Sequence, residues 1–184
     1  MKTREDAEKL LKEYTKSDSL LKHAYAVEQA MRSYALKFGE DVEKWGISGL
    51  LHDFDYEQYP SADQHPFKGA EILKNNGFPQ DVIDAVLGHA DYTGVKRESL
   101  MAKTLFAVDE LCGFLMACAY VRPDRKMENV KTKSVKKKLK DKSFAKGVNR
   151  EDIEKGIAEL DVDKGEHIEF VINSLSEIAE KLEV

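Results

Sequence analysis

The chain has 184 residues, 42% of them hydrophobic and 34% charged, a balance that suits one globular domain with a sizeable core. No apolar run approaches the ~20 residues needed to span a bilayer, and a net charge of −5 gives no general attraction to nucleic acid polymers. The first residues, Met1-Lys-Thr-Arg-Glu-Asp, turn acidic at once and lack the apolar stretch of a signal peptide, so the expected location is cytoplasmic.

Helical periodicity dominates in chain order, and no segment reads as a strand. A short charged helix spans about Arg4 to Tyr14, with Leu10 and Leu11 as its apolar contacts. Ser17 or Asp18 can cap a second helix, in which Leu20, His23, Val27, Ala30 and Tyr34 recur every three or four residues and share one face. Gly39 supplies its stop. A third helix runs from about Asp41 to Asp53, with Val42, Trp45, Gly49 and Leu50 inward, and Asp55 to Asp63 reads as a loop.

Pro66 fits the first turn of a fourth helix, where its missing N–H costs nothing, and Asn75-Asn-Gly77 ends that helix. Pro79 opens a fifth helix to about Ala90. Ser99 can cap a long apolar sixth helix through Tyr120, and Pro123 follows its end. A lysine-rich helical segment comes next, then a helix after Asn149. A last helix carries Ile168, Val171, Ile172, Leu175, Ile178, Ala179 and Leu182 on one buried face. The expected architecture is all-α in a single domain over 1–184, with 123–184 as a C-terminal helical extension or lid. Cys112 and Cys118, six residues apart on one helix, point in different directions and read as reduced core thiols.

Four of the five histidines, His23, His52, His65 and His89, fall on or at the ends of helices on apolar faces; His167 lies beside the last apolar stripe rather than on it. His52 and Asp53 close the run Gly49-Leu-Leu-His-Asp, where Gly46 and Gly49 let another helix approach closely. Asp109 stands amid Leu105, Cys112, Gly113 and Met116, and a buried unpaired carboxylate must find a cation or lose its charge. Each of these residues alone equally fits a polar core group with a satisfied hydrogen bond. Four imidazoles and two carboxylates all pointing inward favour a divalent-metal site, and mixed nitrogen and oxygen donors suit Fe, Mn, Zn, Co or Ni. Lys68, three residues after His65, would face the same cavity, the alternative being a solvated surface lysine. Eight lysines stand between Lys131 and Lys146; they read as a solvated face, the alternative being a basic arm over the cleft or a contact for an acidic partner.

The order His23, His52-Asp53, Asp109 resembles the HD superfamily of metal-dependent phosphohydrolases, and His65 and His89 match the extra histidines of its two-metal members. His65-Pro-Phe-Lys-Gly-Ala-Glu-Ile-Leu and Leu87-Gly-His-Ala look like segments of small stand-alone HD-domain proteins. The resemblance covers roughly Ser19 to Cys118 and implies an all-helical bundle. It further implies that His23, His52, Asp53 and Asp109 hold one cation, and that His65 and His89 hold a second, with Asp53 bridging. Asp53 and Lys68 are then the candidate catalytic residues, Lys68 as the phosphate contact. Asp53 is followed by Phe54-Asp55 rather than Gly-Lys, and no Gly-Tyr-Pro signature occurs, so cyclic dinucleotide cleavage is not implied.

The expected activity is hydrolysis of a small phosphate ester, nucleotides included, by a metal-activated hydroxide. The same ligand set on this fold also supports a di-iron oxygenase, and a metal-stabilised binding or regulatory module without catalysis is the further alternative.

Overall fold

Helix boundaries fall where side chains or glycine can satisfy the free backbone groups of helix ends. In the computed structural model, which describes residues 2–184, ten α-helices and two single-turn 3-10 helices, Asp91–Thr93 and Met127–Asn129, account for the regular structure, and no strand occurs among the described residues. They are α1 (Arg4–Tyr14), α2 (Asp18–Phe38), α3 (Val42–Leu51), α4 (Phe67–Asn75), α5 (Gln80–Gly88), α6 (Leu100–Tyr120), α7 (Thr132–Leu139), α8 (Arg150–Leu160), α9 (Lys164–Ser176) and α10 (Ala179–Leu182). Side chains of Thr3, Asp41, Ser99, Asn149 and Asp163 accept first-turn N–H bonds at α1, α3, α6, α8 and α9. Ser17 occupies the cap position of α2 but makes no side-chain cap bond. Gly39 ends α2 in the left-handed region at φ 73°, where a residue without Cβ is unstrained. Among the described residues, no helix is long and apolar enough to cross a membrane.

The apolar α6 is the axis of the bundle: α2, α3, α5, α8 and α9 all pack on it. Leu105, Val108, Leu111, Cys112 and Leu115 on α6 are fully buried. α2 packs lengthwise on α3, and Gly49 explains how closely. A Cβ there would lie 2.8 Å from the Val27 carbonyl oxygen and 3.0 Å from Glu28 Cα, both backbone atoms of α2. Gly156 plays the same part between α8 and α6, where a Cβ would stand 2.7 Å from Ala107 Cα. Both cysteines are free and buried, and burial pushes their thiols up from the usual range.

Three expectations change. α3 ends at Leu51 and α5 at Gly88, so His52 and His89 are the residues that close their helices. The last apolar stripe is not one helix but two, broken at Glu177–Ile178. The Ser174 and Ser176 hydroxyls donate back to the carbonyls of Phe170 and Ile172, and such back-bonding competes with the helical ladder as α9 ends. His167 is not beside the core but inside it, 1% exposed. Its Nε2 donates to the Ala107 carbonyl oxygen at 2.9 Å and its Nδ1 accepts from the Tyr34 hydroxyl at 2.6 Å, tying α9 to α6 and α2. Burial lowers its pKa below 6.5, which keeps the ring neutral at pH 7. The lysine segment forms α7 with Val135 and Leu139 buried and most of its lysines outward, and its lysines belong to the solvated face.

Gly49→Ala should lower the unfolding free energy of metal-free protein by about 1–3 kcal/mol, the usual cost of overpacking a tight contact. Urea unfolding of the two proteins measures it, and an unchanged midpoint would mean that α2 and α3 do not approach at this position.

Candidate metal centre

The site forms where α2, the end of α3, the loop to α4, the end of α5 and α6 converge. His23 comes from α2 and Asp109 from α6; His52 closes α3 and Asp53 follows in the turn beyond it. His65 stands in the loop just before α4, with a cis bond to Pro66, and His89 closes α5. These six residues fall into two groups, each with its donor atoms within 4.8 Å of one another: His23, His52 and Asp109, and Asp53, His65 and His89.

In the first group, Asp109 Oδ1 lies 3.0 Å from His23 Nε2 and 3.2 Å from His52 Nε2, and the two nitrogens are 3.2 Å apart. In the second, Asp53 Oδ1 lies 3.1 Å from both His65 Nε2 and His89 Nε2. The other oxygen of Asp53, Oδ2, turns back to His52 Nε2 at 3.5 Å. Asp53 thus stands between the groups with one oxygen toward each.

The orientation of the rings is fixed from behind. His52 Nδ1 donates to the Gly49 carbonyl oxygen at 2.7 Å, and His89 Nδ1 bonds the Val86 carbonyl oxygen. His65 Nδ1 meets a carboxylate oxygen of Asp55 at 2.8 Å. In all three rings Nε2 is therefore the nitrogen aimed inward. Metal-ligating histidines characteristically tie down one nitrogen in this way so that the other presents its lone pair. Arg97 steadies the His89 end of α5. Its guanidinium donates to the Gly88 carbonyl oxygen at 2.7 Å, pairs with Asp91 and Glu159, and lies 3.6 Å over the Phe106 ring.

The electrostatics also suit a cation. For His52, burial opposes charging, but Asp53 and Asp109 outweigh it and hold its pKa well above 6.5. Burial likewise opposes charging His65, and Asp53 and Asp55 outweigh it to raise the ring to about 9. Burial would raise both ligand carboxylates, yet the imidazoles around them hold Asp53 and Asp109 well below the ordinary range. Protons on the rings do the neutralising that a divalent ion does when bound. Nearby, burial and the Asp109 charge push Glu110 up to about 7. The donor set, with inward Nε2 atoms and unprotonated carboxylates, fits one or two divalent cations.

His23, Asp53, His65, His89 and Asp109 line one open cavity of about 560 Å³, with His52 sealed behind them, and Tyr56, Tyr92, Asp91, Glu110 and Asp152 complete the lining. Lys68 is not brought to it. Its Nζ pairs with Glu71 at 3.1 Å on the exposed face of α4. A three-residue spacing aligns two side chains only within a helix, and α4 begins at Phe67, after His65. Conversely, sequence reasoning missed Asp55, which is 0% exposed although its stretch reads as a loop. Its one available signal is that it immediately follows Phe54, a large apolar residue also drawn into the core.

Comparison with known proteins agrees with this geometry. The model of the HD domain family matches residues 20–113, which reach from α2 into α6 and include all six convergent residues. Ribonuclease Y from two strains of Nitratidesulfovibrio vulgaris, DP4 and Hildenborough, is in each case 27% identical over 123 residues, 63% of this chain. The chain spans only 23% of the length of these curated relatives. No solved structure is a significant match. With half of its length matched by the family model and the paired His/Asp groups at its centre, the chain belongs to the HD-domain family, the superfamily of metal-dependent phosphohydrolases.

Proposed function

We propose that the chain hydrolyses a small phosphate ester, nucleotides included, at a pair of divalent cations held by His23, His52 and Asp109 on one side and His65 and His89 on the other, with Asp53 shared. The observation that carries this reading is the position of Asp53. One of its oxygens faces two histidines at 3.1 Å and the other faces His52 at 3.5 Å, as a carboxylate serving two ions must. Cations bound there would supply Lewis acidity toward a phosphoryl oxygen and lower the pKa of a water to near neutrality. The chain's own part is to hold the donors in register: His52, His65 and His89 are locked through Nδ1, and Asp109 is anchored on the rigid α6.

A small ester suits the cavity better than a polymer. The cavity's volume of about 560 Å³ is that of a site for a small molecule. The curated relatives carry the name ribonuclease, so a short RNA belongs in the substrate screen as a competing arm. Nucleoside monophosphates, p-nitrophenyl phosphate and that RNA, each with Mn, Mg, Co, Ni, Zn or Fe, should give metal-dependent phosphate release from a monoester without oxygen. Oxygen-dependent turnover with iron would replace this reading with an oxygenase, and silence on every arm would replace it with a binding module. Asp53→Ala should empty most of the metal and lower turnover by more than the roughly 100-fold that loss of an outer-shell partner costs.

Metal loading should also depend on pH. The pKa of His65 in the metal-free fold is about 9 against 6.5 unperturbed, and His52 shifts in the same direction. Rings with raised pKa stabilise the metal-free fold fully below pH 6.5, and that contribution is lost as pH rises through 9. Bound cations need the same rings neutral, so loading at pH 7 should release protons, that of His65 among them. The melting-temperature gain on adding metal should therefore widen from pH 6 to pH 9. Calorimetry in buffers of different ionisation enthalpy reads the protons; loading without proton release would show that these rings are not ligands.

A further inference from the structure

Asp55 carries a buried carboxylate whose two oxygens have separate partners. Oδ1 accepts from His65 Nδ1 at 2.8 Å, and Oδ2 accepts from the backbone N–H of Gly69, also at 2.8 Å. Gly69 is the third residue of α4, whose cap position is held by Pro66 with no side-chain cap bond. Asp55 thus reaches in from the preceding loop to satisfy a free donor at the positive end of that helix. The fit is close on every side. A Cβ at Gly69 would stand 2.9 Å from Asp55 Cγ and 3.0 Å from each of its oxygens. The Tyr92 hydroxyl meanwhile donates to the His65 backbone carbonyl oxygen at 2.9 Å, so His65 is held at both its ring and its main chain.

We propose that Asp55 is a positioning residue that determines loading of the second cation group, Asp53, His65 and His89, and leaves the first group, His23, His52 and Asp109, unaffected. The inference rests on the two-cation reading above. Asp55 touches neither the cavity nor the inward donor atoms; it acts through His65. By accepting from Nδ1–H it fixes the tautomer that leaves Nε2 free to bind a cation. A full negative charge behind the ring also strengthens that nitrogen as a donor. None of the six first-group and second-group residues other than His65 has Asp55 as a hydrogen-bond partner, which is why the effect is confined to one group.

An amide cannot replace this carboxylate. Asn at 55 has one oxygen for two N–H donors, so its NH2 must face either His65 Nδ1–H or the Gly69 N–H. The ring then loses its inward tautomer or α4 loses its cap. Gly69→Ala disturbs the same contact differently, since the new methyl displaces the carboxylate and keeps its charge.

The experiment is a Mn2+ titration of chelator-stripped protein, followed by calorimetry and by the EPR signature of a coupled manganese pair. Wild type should bind in two steps. Asp55→Asn should keep the first step within about twofold, weaken the second by about 10–100-fold, and lose the coupled-pair signal. His65→Ala should do the same, and the double variant should lose no more than His65→Ala alone, because Asp55 acts through that ring. If Asp55→Asn does not fold, Gly69→Ala carries the test with the same expected pattern. Two wild-type steps in a folded Asp55→Asn or Gly69→Ala protein, or equal weakening of both steps, overturns the inference and leaves the two-cation reading standing. A wild-type protein that takes up only one equivalent overturns both.

Discussion

Everything in the fold around the site follows from the burial of two carboxylates among imidazoles. Asp53 and Asp109 sit with side chains only 25% and 13% exposed, and His52 is sealed completely. Such charges are costly to remove from water unless opposite charge stands beside them. The chain meets that requirement from five separate segments, so α2, α3, α5 and α6 must keep their relative positions for these charges to stay neutralised. The close approach of α2 to α3 at Gly49 and of α6 to α8 at Gly156 fixes distances that a looser bundle would leave variable. Packing and electrostatics are therefore one constraint: the tight apolar contacts set the spacing, and the spacing decides whether the buried charges are neutralised.

The outer contacts extend this logic away from the cavity. His52, His65 and His89 are each oriented by a bond on the far side of the ring, two from helical carbonyls and one from a carboxylate. Arg97 continues the chain of support from the end of α5 to α6 and α8. His167 does comparable work in the core without any part in the site, joining α9 to the α6 turn just before Asp109. An identical side-chain type thus serves as an inward donor in one place and as a neutral structural link in another. The difference lies in what surrounds the ring: carboxylates raise it toward the charged form at His52, whereas apolar burial lowers it at His167.

Much of this was legible in the sequence because helical period, caps and breakers are local. The three- and four-residue spacing of α2 and the capping residues Ser99 and Asn149 are patterns within a few positions. The six convergent residues were legible for a different reason: histidine and aspartate on apolar faces are rare enough to mark themselves. What escaped depends on tertiary placement. Asp55 reads as a loop residue, since its two partners lie 10 and 14 residues away across an irregular segment. Lys68 seemed to face inward only if the helix extended back to His65, and the chain instead turns at Pro66. The burial of His167 arises from a neighbour 133 positions distant, Tyr34, and no window of local sequence contains it.

One backbone feature has its own bearing on what the cavity attracts. His52 and His89 each close the carboxyl end of a helix, α3 and α5, and each ring bonds through Nδ1 to a carbonyl oxygen of its own last turn, Gly49 or Val86. Aligned peptide dipoles give such an end roughly half a negative charge, and the effect is confined to the last turn. Each ring carries its inward Nε2 at the end of a helix rather than within one, where the backbone carbonyl behind it holds the opposite nitrogen. The main chain thus sets which nitrogen of each ring is free, and a change that lengthened α3 or α5 by a turn would take the donor atom away from the cavity although the histidine itself remained.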